Sequence, residues 1–273
     1  MKVFDNKVVV ITGAASGMGR EYALAFAKLN SKLALCDVDG AGLNETVALV
    51  KQVSDTQIHT KLFSIADEAV VYEFAEEVSR ALGDASIVIN NAGIEGVGGP
   101  GWMTPSEGFK RVMAVNLYGV VYCSQAFLPQ LAKNKESALV NVSSVFGMIG
   151  APGSADYCAS KFAVRGYTET LMAELNDSHV QIHLVHPGGI KTNIARKEDT
   201  RLGAAPFLTT PPAEIVAYVI KGIRNNKPRI VYGNFSTIIR LLVHLLPLKW
   251  RYKLLARTMP TTDEFGPSLG GNQ

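Results

Sequence analysis

Cysteine is scarce in this chain. The three present, Cys36, Cys123 and Cys158, show no C-x-x-C spacing and no obvious pairing among 273 residues. That argues against a disulfide framework and for a reducing, cytoplasmic setting. Long apolar runs are missing as well. The opening MKVFDNKVVVITG has neither the apolar stretch nor the small-residue cleavage site of a secretory signal, so none is expected. The apolar run before Pro247 is about twelve residues, short of the ~20 that span a bilayer. No helix-turn-helix, zinc-finger or RNP pattern accompanies the net charge of +3, so a nucleic-acid partner is not expected. Acidic residues are absent from Ile215 to Thr262, a span with nine Lys or Arg, whereas residues 1 to 214 are acidic on balance. No internal linker or repeat divides the chain.

What is present is strand–helix alternation. Runs at 7–11, 32–37, 57–63, 86–90, 138–143, 180–187 and 229–233 are short, apolar and rich in β-branched residues. Between them lie segments such as EAVVYEFAEEVSRAL, with apolar residues three and four apart. Strands that are apolar without alternation belong in a parallel sheet covered on both faces, so the pattern predicts one doubly wound α/β domain of Rossmann type. Two long irregular connections are expected, at 95–108 and 191–212, and the tail from 259 to 273 reads as disordered.

The first strand runs into TGAASGMG, which places Gly13, Gly17 and Gly19 in the turn ahead of the first helix. Such a turn lets backbone approach a pyrophosphate, with the helix N-terminus supplying N–H groups and the positive end of its dipole. Asp37 closes the second strand, where a carboxylate can accept from both hydroxyls of an adenosine ribose and would repel a 2′-phosphate. Asp39 is a second candidate there, as a helix cap or turn residue. Neither Ser16 nor Val38 is basic, which favours NAD over NADP. Further on, SADYCASKF holds Tyr157 and Lys161 four residues apart, on one helix face. A phenol titrates near ~10, and a neighbouring ammonium would lower that value and make Tyr157 a usable general acid or base. His183 and His186 are an odd number apart in a strand and face opposite sides, so with His179 they make no metal site. Cys158 reads as a small packing residue, and Trp102 with Met103 either line a pocket or anchor a loop.

These motifs come in a particular order. T-G-x-x-x-G-x-G at 12–19, N-N-A-G at 90–93, Asn116 in VNLYG, NVSS at 141–144, Y-x-x-x-K at 157–161 and PGG at 187–189 together resemble the short-chain dehydrogenase/reductase family, over about residues 5 to 233. The resemblance implies that Tyr157 is the catalytic acid/base and that Lys161 lowers its pKa and binds the nicotinamide ribose. It selects Ser144, thirteen residues before the tyrosine, over Ser143 as the residue that bonds the substrate oxygen, and it makes Asn116 the support of a water-linked proton relay. It implies that Asn90 steadies the end of the fourth strand. NAD would contact Gly13, Ser16, Gly17, Met18, Gly19, Asp37, Asn91, Ala92 and Gly93, then Tyr157 and Lys161, and finally Pro187, Gly188, Ile190 and Thr192. One departure stands out: where family members often carry an aspartate against the adenine, this chain has Ser64, with Asp67 three residues later. The family usually forms homodimers or homotetramers.

The implied activity is NAD-dependent interconversion of a small-molecule alcohol, hydrophobic and secondary, steroid-like or lipid-derived, and its carbonyl. A non-catalytic dinucleotide sensor on the same fold is the competing class. Residues 234–258 form a basic, amphipathic extension to the catalytic domain of 1–233. Ser236, Arg240 and His244, then Lys249, Lys253 and Arg257, recur every four residues, predicting two helices separated by Pro247. A membrane surface, a second subunit, the substrate pocket or ordinary packing could each take up their apolar faces.

Overall fold

The computed structural model describes residues 1–192 and 208–258. Seven parallel strands form one sheet: β1 (Val8–Thr12), β2 (Lys32–Asp37), β3 (Ile58–Leu62), β4 (Ile87–Asn90), β5 (Ser137–Val142), β6 (Val180–Pro187) and β7 (Arg229–Tyr232). Their order across the sheet is β3-β2-β1-β4-β5-β6-β7. The chain builds outward from β1 in one direction and then, from β4, in the other. The crevice at the carboxyl ends of β1 and β4 is therefore the topological switch point, where open α/β sheets take their ligands.

Alternation within each strand supplies the two layers. Val9 and Ile11 of β1 join Leu33, Leu35, Ile87 and Ile89 against α1 (Gly17–Ala27), α2 (Gly40–Val53) and α7 (Pro212–Arg224). Val8 and Val10 face the opposite way, with Ala34, Val88 and Leu139, against α3 (Glu68–Leu82), α5 (Gly119–Lys133) and α6 (Ala155–Glu174). Every residue of β1, β4 and β5 is buried, which is why those strands read as unbroken apolar runs. The remaining helices are α4 (Ser106–Met113), which enters α5 through a π-helical turn at Ala114–Tyr118, and the surface pair α8 (Ser236–Leu245) and α9 (Leu248–Thr258). The seven expected strands all occur, within a residue or so at each end. Most of the connection 191–212 and the tail 259–273 lie outside the described residues. Cys36, Cys123 and Cys158 are all buried free thiols.

Candidate active site

Three glycines shape the turn between β1 and α1, each for a different reason. Gly13 and Gly17 have φ of 69° and 52°, in the left-handed region that side chains disfavour. A Cβ on Gly13 would stand 2.8 Å from Cα of Ala92, one on Gly17 would stand 3.2 Å from the Thr192 side chain, and one on Gly19 would run into the Gly13 carbonyl. The turn thus brings together residues from 13, 92 and 192 that the sequence separates widely. Thr12 fastens this cluster: its hydroxyl accepts from the backbone N–H of Asn91 and of Ala92, both at 3.0 Å. The Asn91 amide donates back to the Thr12 carbonyl at 2.9 Å.

The helix ends around the sheet differ in a telling way. Asp39 caps α2 by accepting from Gly42 N–H at 3.0 Å, and Asp67 caps α3 by accepting from Val70 N–H at 3.3 Å. Ser16 gives α1 no side-chain cap, and no acidic residue lies in its first turn. The leading N–H groups and dipole of α1 are thereby left for an anion. Met18 buries its side chain in the core, so only its backbone can face a ligand. The fit to a pyrophosphate is good: a glycine cradle at an uncapped helix N-terminus, at the switch point of the sheet.

Asp37 stands beside this turn, with Oδ2 accepting from Ala15 N–H at 2.8 Å and Oδ1 accepting from Val38 N–H at 2.7 Å and Asp39 N–H at 3.0 Å. A carboxylate offers roughly four acceptor positions, so part of Oδ2 remains for a ribose hydroxyl. The two aspartates of this turn divide the work as the alternatives allowed: Asp39 caps, Asp37 faces the glycines. Arg20 went unnoticed in the sequence. It donates to the Ala15 carbonyl and to Glu45, each at 2.6 Å, and to the Thr46 hydroxyl at 3.0 Å, bracing the turn from below. Ser64 sits at the expected place after β3, where its hydroxyl accepts from Ala66 N–H at 3.3 Å, while Asp67 is spent on its helix.

The catalytic candidates gather one step along the sheet. Tyr157 and Lys161 both lie on α6, which begins just before them. Lys161 is buried; its ammonium donates to the Val142 carbonyl at 3.1 Å and lies 5.8 Å from the centre of the Tyr157 ring. Gly93 separates Lys161 from Asn116: a Cβ there would meet Nζ of the lysine at 3.3 Å and Oδ1 of the asparagine at 3.2 Å. Asn116 is held by the π-helical turn, a common mark of functional helices. It accepts from Ile94 N–H at 2.8 Å and donates to the Ile94 carbonyl at 2.9 Å and the Ser160 hydroxyl at 3.1 Å. Asn90, at the end of β4, donates to Asn141 at 2.8 Å and Ser124 at 3.1 Å.

The two serines after β5 face different ways. Ser143 donates to the Lys161 carbonyl at 2.8 Å, pinning α6 from behind. Ser144 accepts from Phe146 N–H at 3.1 Å, and its hydroxyl lies near enough to that of Tyr157 to favour the phenolate. Ser144 is anchored in turn by His186, whose Nδ1 pairs with the Ser144 carbonyl at 2.7 Å, while His183 pairs with the Lys227 carbonyl at the same distance. Burial lowers both imidazoles to about 4, so both are neutral and donate from Nδ1. Cys158, next to Tyr157, accepts from Ala151 N–H at 3.3 Å.

One expectation needs correcting. Tyr157 is not lowered: desolvation pushes it up to about 12, partly opposed by the Ser144 hydroxyl, and the nearby Glu95 raises it further. Desolvation also lowers Lys161 to about 8. Burial disfavours the charged form of each group, and it is the largest cause of both shifts.

A positioning carboxylate was also missed. Asp156, buried immediately before the tyrosine, accepts from Tyr157 N–H at 2.8 Å and from Val97 N–H at 2.7 Å. It clips the loop after β4 to the start of α6. The only sequence signal was an aspartate in the first turn of a helix, which usually means capping. Trp102 and Met103, by contrast, are exposed in a short 3₁₀ turn.

Beyond β6 the chain folds back over the site. Gly188 N–H donates to the Tyr232 carbonyl at 2.7 Å and Gly189 N–H to the Asn234 carbonyl at 3.0 Å. Ile190, whose side chain is in the core, bridges to Thr210, and Thr192 reaches Gly17. The segment Pro187–Thr192 thus joins the glycine turn to the catalytic side.

A glycine cradle beside a largely buried Ser–Tyr–Lys–Asn cluster defines an oxidoreductase of the dinucleotide-binding class. The chain belongs to the short chain dehydrogenase family, whose model matches residues 7–203. It is 36% identical to the SadH protein of Mycobacterium tuberculosis, over 90% of this chain and 93% of that one. It is 34% identical to human epidermal retinol dehydrogenase 2 (89% and 79% covered) and 32% identical to human estradiol 17-beta-dehydrogenase 11 (90% and 81%). A short chain dehydrogenase/reductase from Burkholderia phymatum, solved in complex with NAD, superposes with a TM-score of 0.82 at 28% identity, covering 98% of this chain and all of that one.

Proposed function

We propose that this oxidoreductase interconverts a hydrophobic alcohol, secondary and steroid-like or lipid-derived, and its carbonyl, with NAD as cofactor. The observation that carries the reading is the meeting of Ser144, Tyr157, Lys161 and Asn116 beside the glycine turn. Retinol and estradiol, the alcohols in the names of two relatives, are both large and apolar, which supports the substrate class. The NAD complex of the Burkholderia relative and the place of Asp37 support the cofactor.

When bound, the nicotinamide accepts or returns the hydride. The residues of this chain do the rest. Gly13, Gly17 and Gly19 with the N-terminus of α1 would hold the pyrophosphate, Asp37 the adenosine ribose, and Pro187–Thr192 the nicotinamide end. Ser144 holds the substrate oxygen against Tyr157, whose phenolate oxygen takes the alcohol proton in oxidation and whose hydroxyl returns it in reduction. Lys161 supports the phenolate by its charge, and Asn116, beside it, holds the route by which the proton leaves. Fixing substrate against cofactor supplies much of the rate. A cytoplasmic homodimer or homotetramer completes the reading.

The test is reduction of NAD across a panel of apolar alcohols, with Tyr157→Phe alongside. Loss of general acid–base chemistry costs about 10²–10⁴-fold, so turnover should fall by about that factor while NADH binding, read by its nicotinamide fluorescence, stays within twofold. Cofactor binding by the wild type without turnover of any alcohol would instead identify a dinucleotide sensor.

A further inference from the structure

The C-terminal helix pair leaves apolar surface outside. Ser236, Ile239 and Val243 lie on the inward side of α8, which packs on β7 and on the short turn after Ser144. Besides that face, half-buried at Ile239 and Val243, α8 presents a second one: Ile238, Leu241 and Leu245, spaced three and four apart, are 54%, 49% and 74% exposed. In α9 only Arg251 and Leu255 turn partly inward. Lys249, Lys253 and Arg257 line the outward side at i, i+4 and i+8, with Leu248 and Tyr252 on one shoulder of that stripe and Trp250 and Leu254 on the other. Exposed large apolar residues elsewhere among the described residues are scattered; here eight of the eighteen fall between 235 and 254.

We propose that the α8–α9 face docks on an anionic lipid bilayer surface. Charge selects the occupant. The helix pair carries five Lys or Arg, four of them exposed (Arg240, Lys249, Lys253 and Arg257), and no acidic residue. In a self-complementary contact with a second copy the same patch recurs on both sides, so the stripe would meet its own charge and find no partner. A bilayer supplies anionic headgroups for the ammonium and guanidinium ends while their aliphatic stems lie along apolar surface. Trp250 and Tyr252 suit the boundary between headgroup and acyl chain, and the exposed leucines and isoleucine of α8 suit the layer beneath. The face lies on the surface rather than crossing. The one helical run among the described residues with the length and hydropathy of a span, Ser106–Lys133, contributes to the core against α3, α6 and β5. Docking needs no catalysis and stands apart from the reaction assigned above. Because α8 packs on the turn after Ser144, docking would place the mouth of the site near the bilayer.

The experiment is co-sedimentation of the full chain with phosphatidylcholine vesicles, with and without phosphatidylserine. The protein should pellet with the anionic vesicles at least tenfold more than with neutral ones, and raised salt should release it. Lys249→Glu/Lys253→Glu/Arg257→Glu should lose at least tenfold of that binding, and Leu241→Ser/Leu245→Ser a comparable amount. All five positions are exposed, and an unchanged circular dichroism melt shows that the variants fold. In a Trp102→Phe background, which leaves Trp250 as the reporter, emission should shift to the blue on binding. No anionic preference, binding that survives the charge reversal, or a soluble dimer that buries Trp250 and dissociates on the same substitutions would each overturn the proposal.

Discussion

The two halves of the site are made differently. Around β1 and β2 the cofactor cradle is a matter of backbone: glycines where a Cβ has no room, N–H groups left open, and one carboxylate tied to three of its neighbours' amides. Around β5 and α6 the machinery is desolvated side chains whose charged forms are disfavoured, Tyr157 at about 12 and Lys161 at about 8. Shape specifies the first half and desolvation tunes the second. Substitutions in the first should therefore change binding, and those in the second should change pH dependence.

The sharpest way to break that division is Lys161→Met. Tyr157 already stands at about 12 with Lys161 in place, so the lysine acts on the phenolate as it forms, and without its charge that phenolate is unsupported. Oxidation should fall about 10³-fold at pH 7, within the range for lost acid–base assistance. The deficit should shrink above about pH 8, where the wild-type Lys161 itself loses its charge. A rise confined to the KM for NAD, with the pH profile unmoved, would place Lys161 in the binding half instead.

Acid should expose the second half through stability. His183 and His186 are held at about 4 in the folded protein against 6.5 when free. The unfolded chain takes up their protons first, so stability is complete above pH 6.5 and is lost as pH falls toward 4, by about 3 kcal/mol per histidine at the limit. Urea midpoints at pH 7 and 4.5 would measure the loss, and His183→Asn/His186→Asn should flatten it.

Asp156→Ala should cost about 1–3 kcal/mol, since the N–H groups of Val97 and Tyr157 lose a buried acceptor. Thermal melting reads that loss, and Asp156→Asn should recover part of it. The smallest effect belongs to the first half. Wild type should favour NAD(H) over NADP(H) by at least about tenfold in kcat/KM, about 1.4 kcal/mol, and Asp37→Ala should narrow that gap with the pH profile unchanged.

The same division decides what could be read in advance. Strands were legible because burial on both faces makes each an apolar run, as in Val8–Thr12. The cradle was legible because only glycine meets its steric demands, and Asn116, Ser144, Tyr157 and Lys161 because their spacing repeats a family pattern. Illegible features depend on what lies across space. Whether Tyr157 is raised or lowered turns on burial against charge, which spacing does not reveal. Asp156 and Arg20 have ordinary local surroundings, and their partners, at 97 and at 15 and 45, follow only from the packing. The helices around Pro247 were legible as amphipathic, but not that α8 would have apolar groups on two faces.

The strand order also governs when the site can exist during synthesis. Val9 of β1 pairs with Ile87 of β4, about 80 residues later, whereas its other neighbour, Leu33 of β2, follows far sooner. A ribosome adding ~5–20 residues per second leaves the β4 side of β1 without its partner for several seconds, its backbone groups open and its apolar side chains not yet covered on that side. Gly13 packs on Ala92, so the cofactor cradle cannot close before β4 has arrived. Tyr157 and Lys161 come later still, and the contact between Thr192 and Gly17 last of all. A nascent chain halted near residue 85 would carry half of a sheet with an open central edge, a natural substrate for a chaperone, and no capacity to be rescued by NAD.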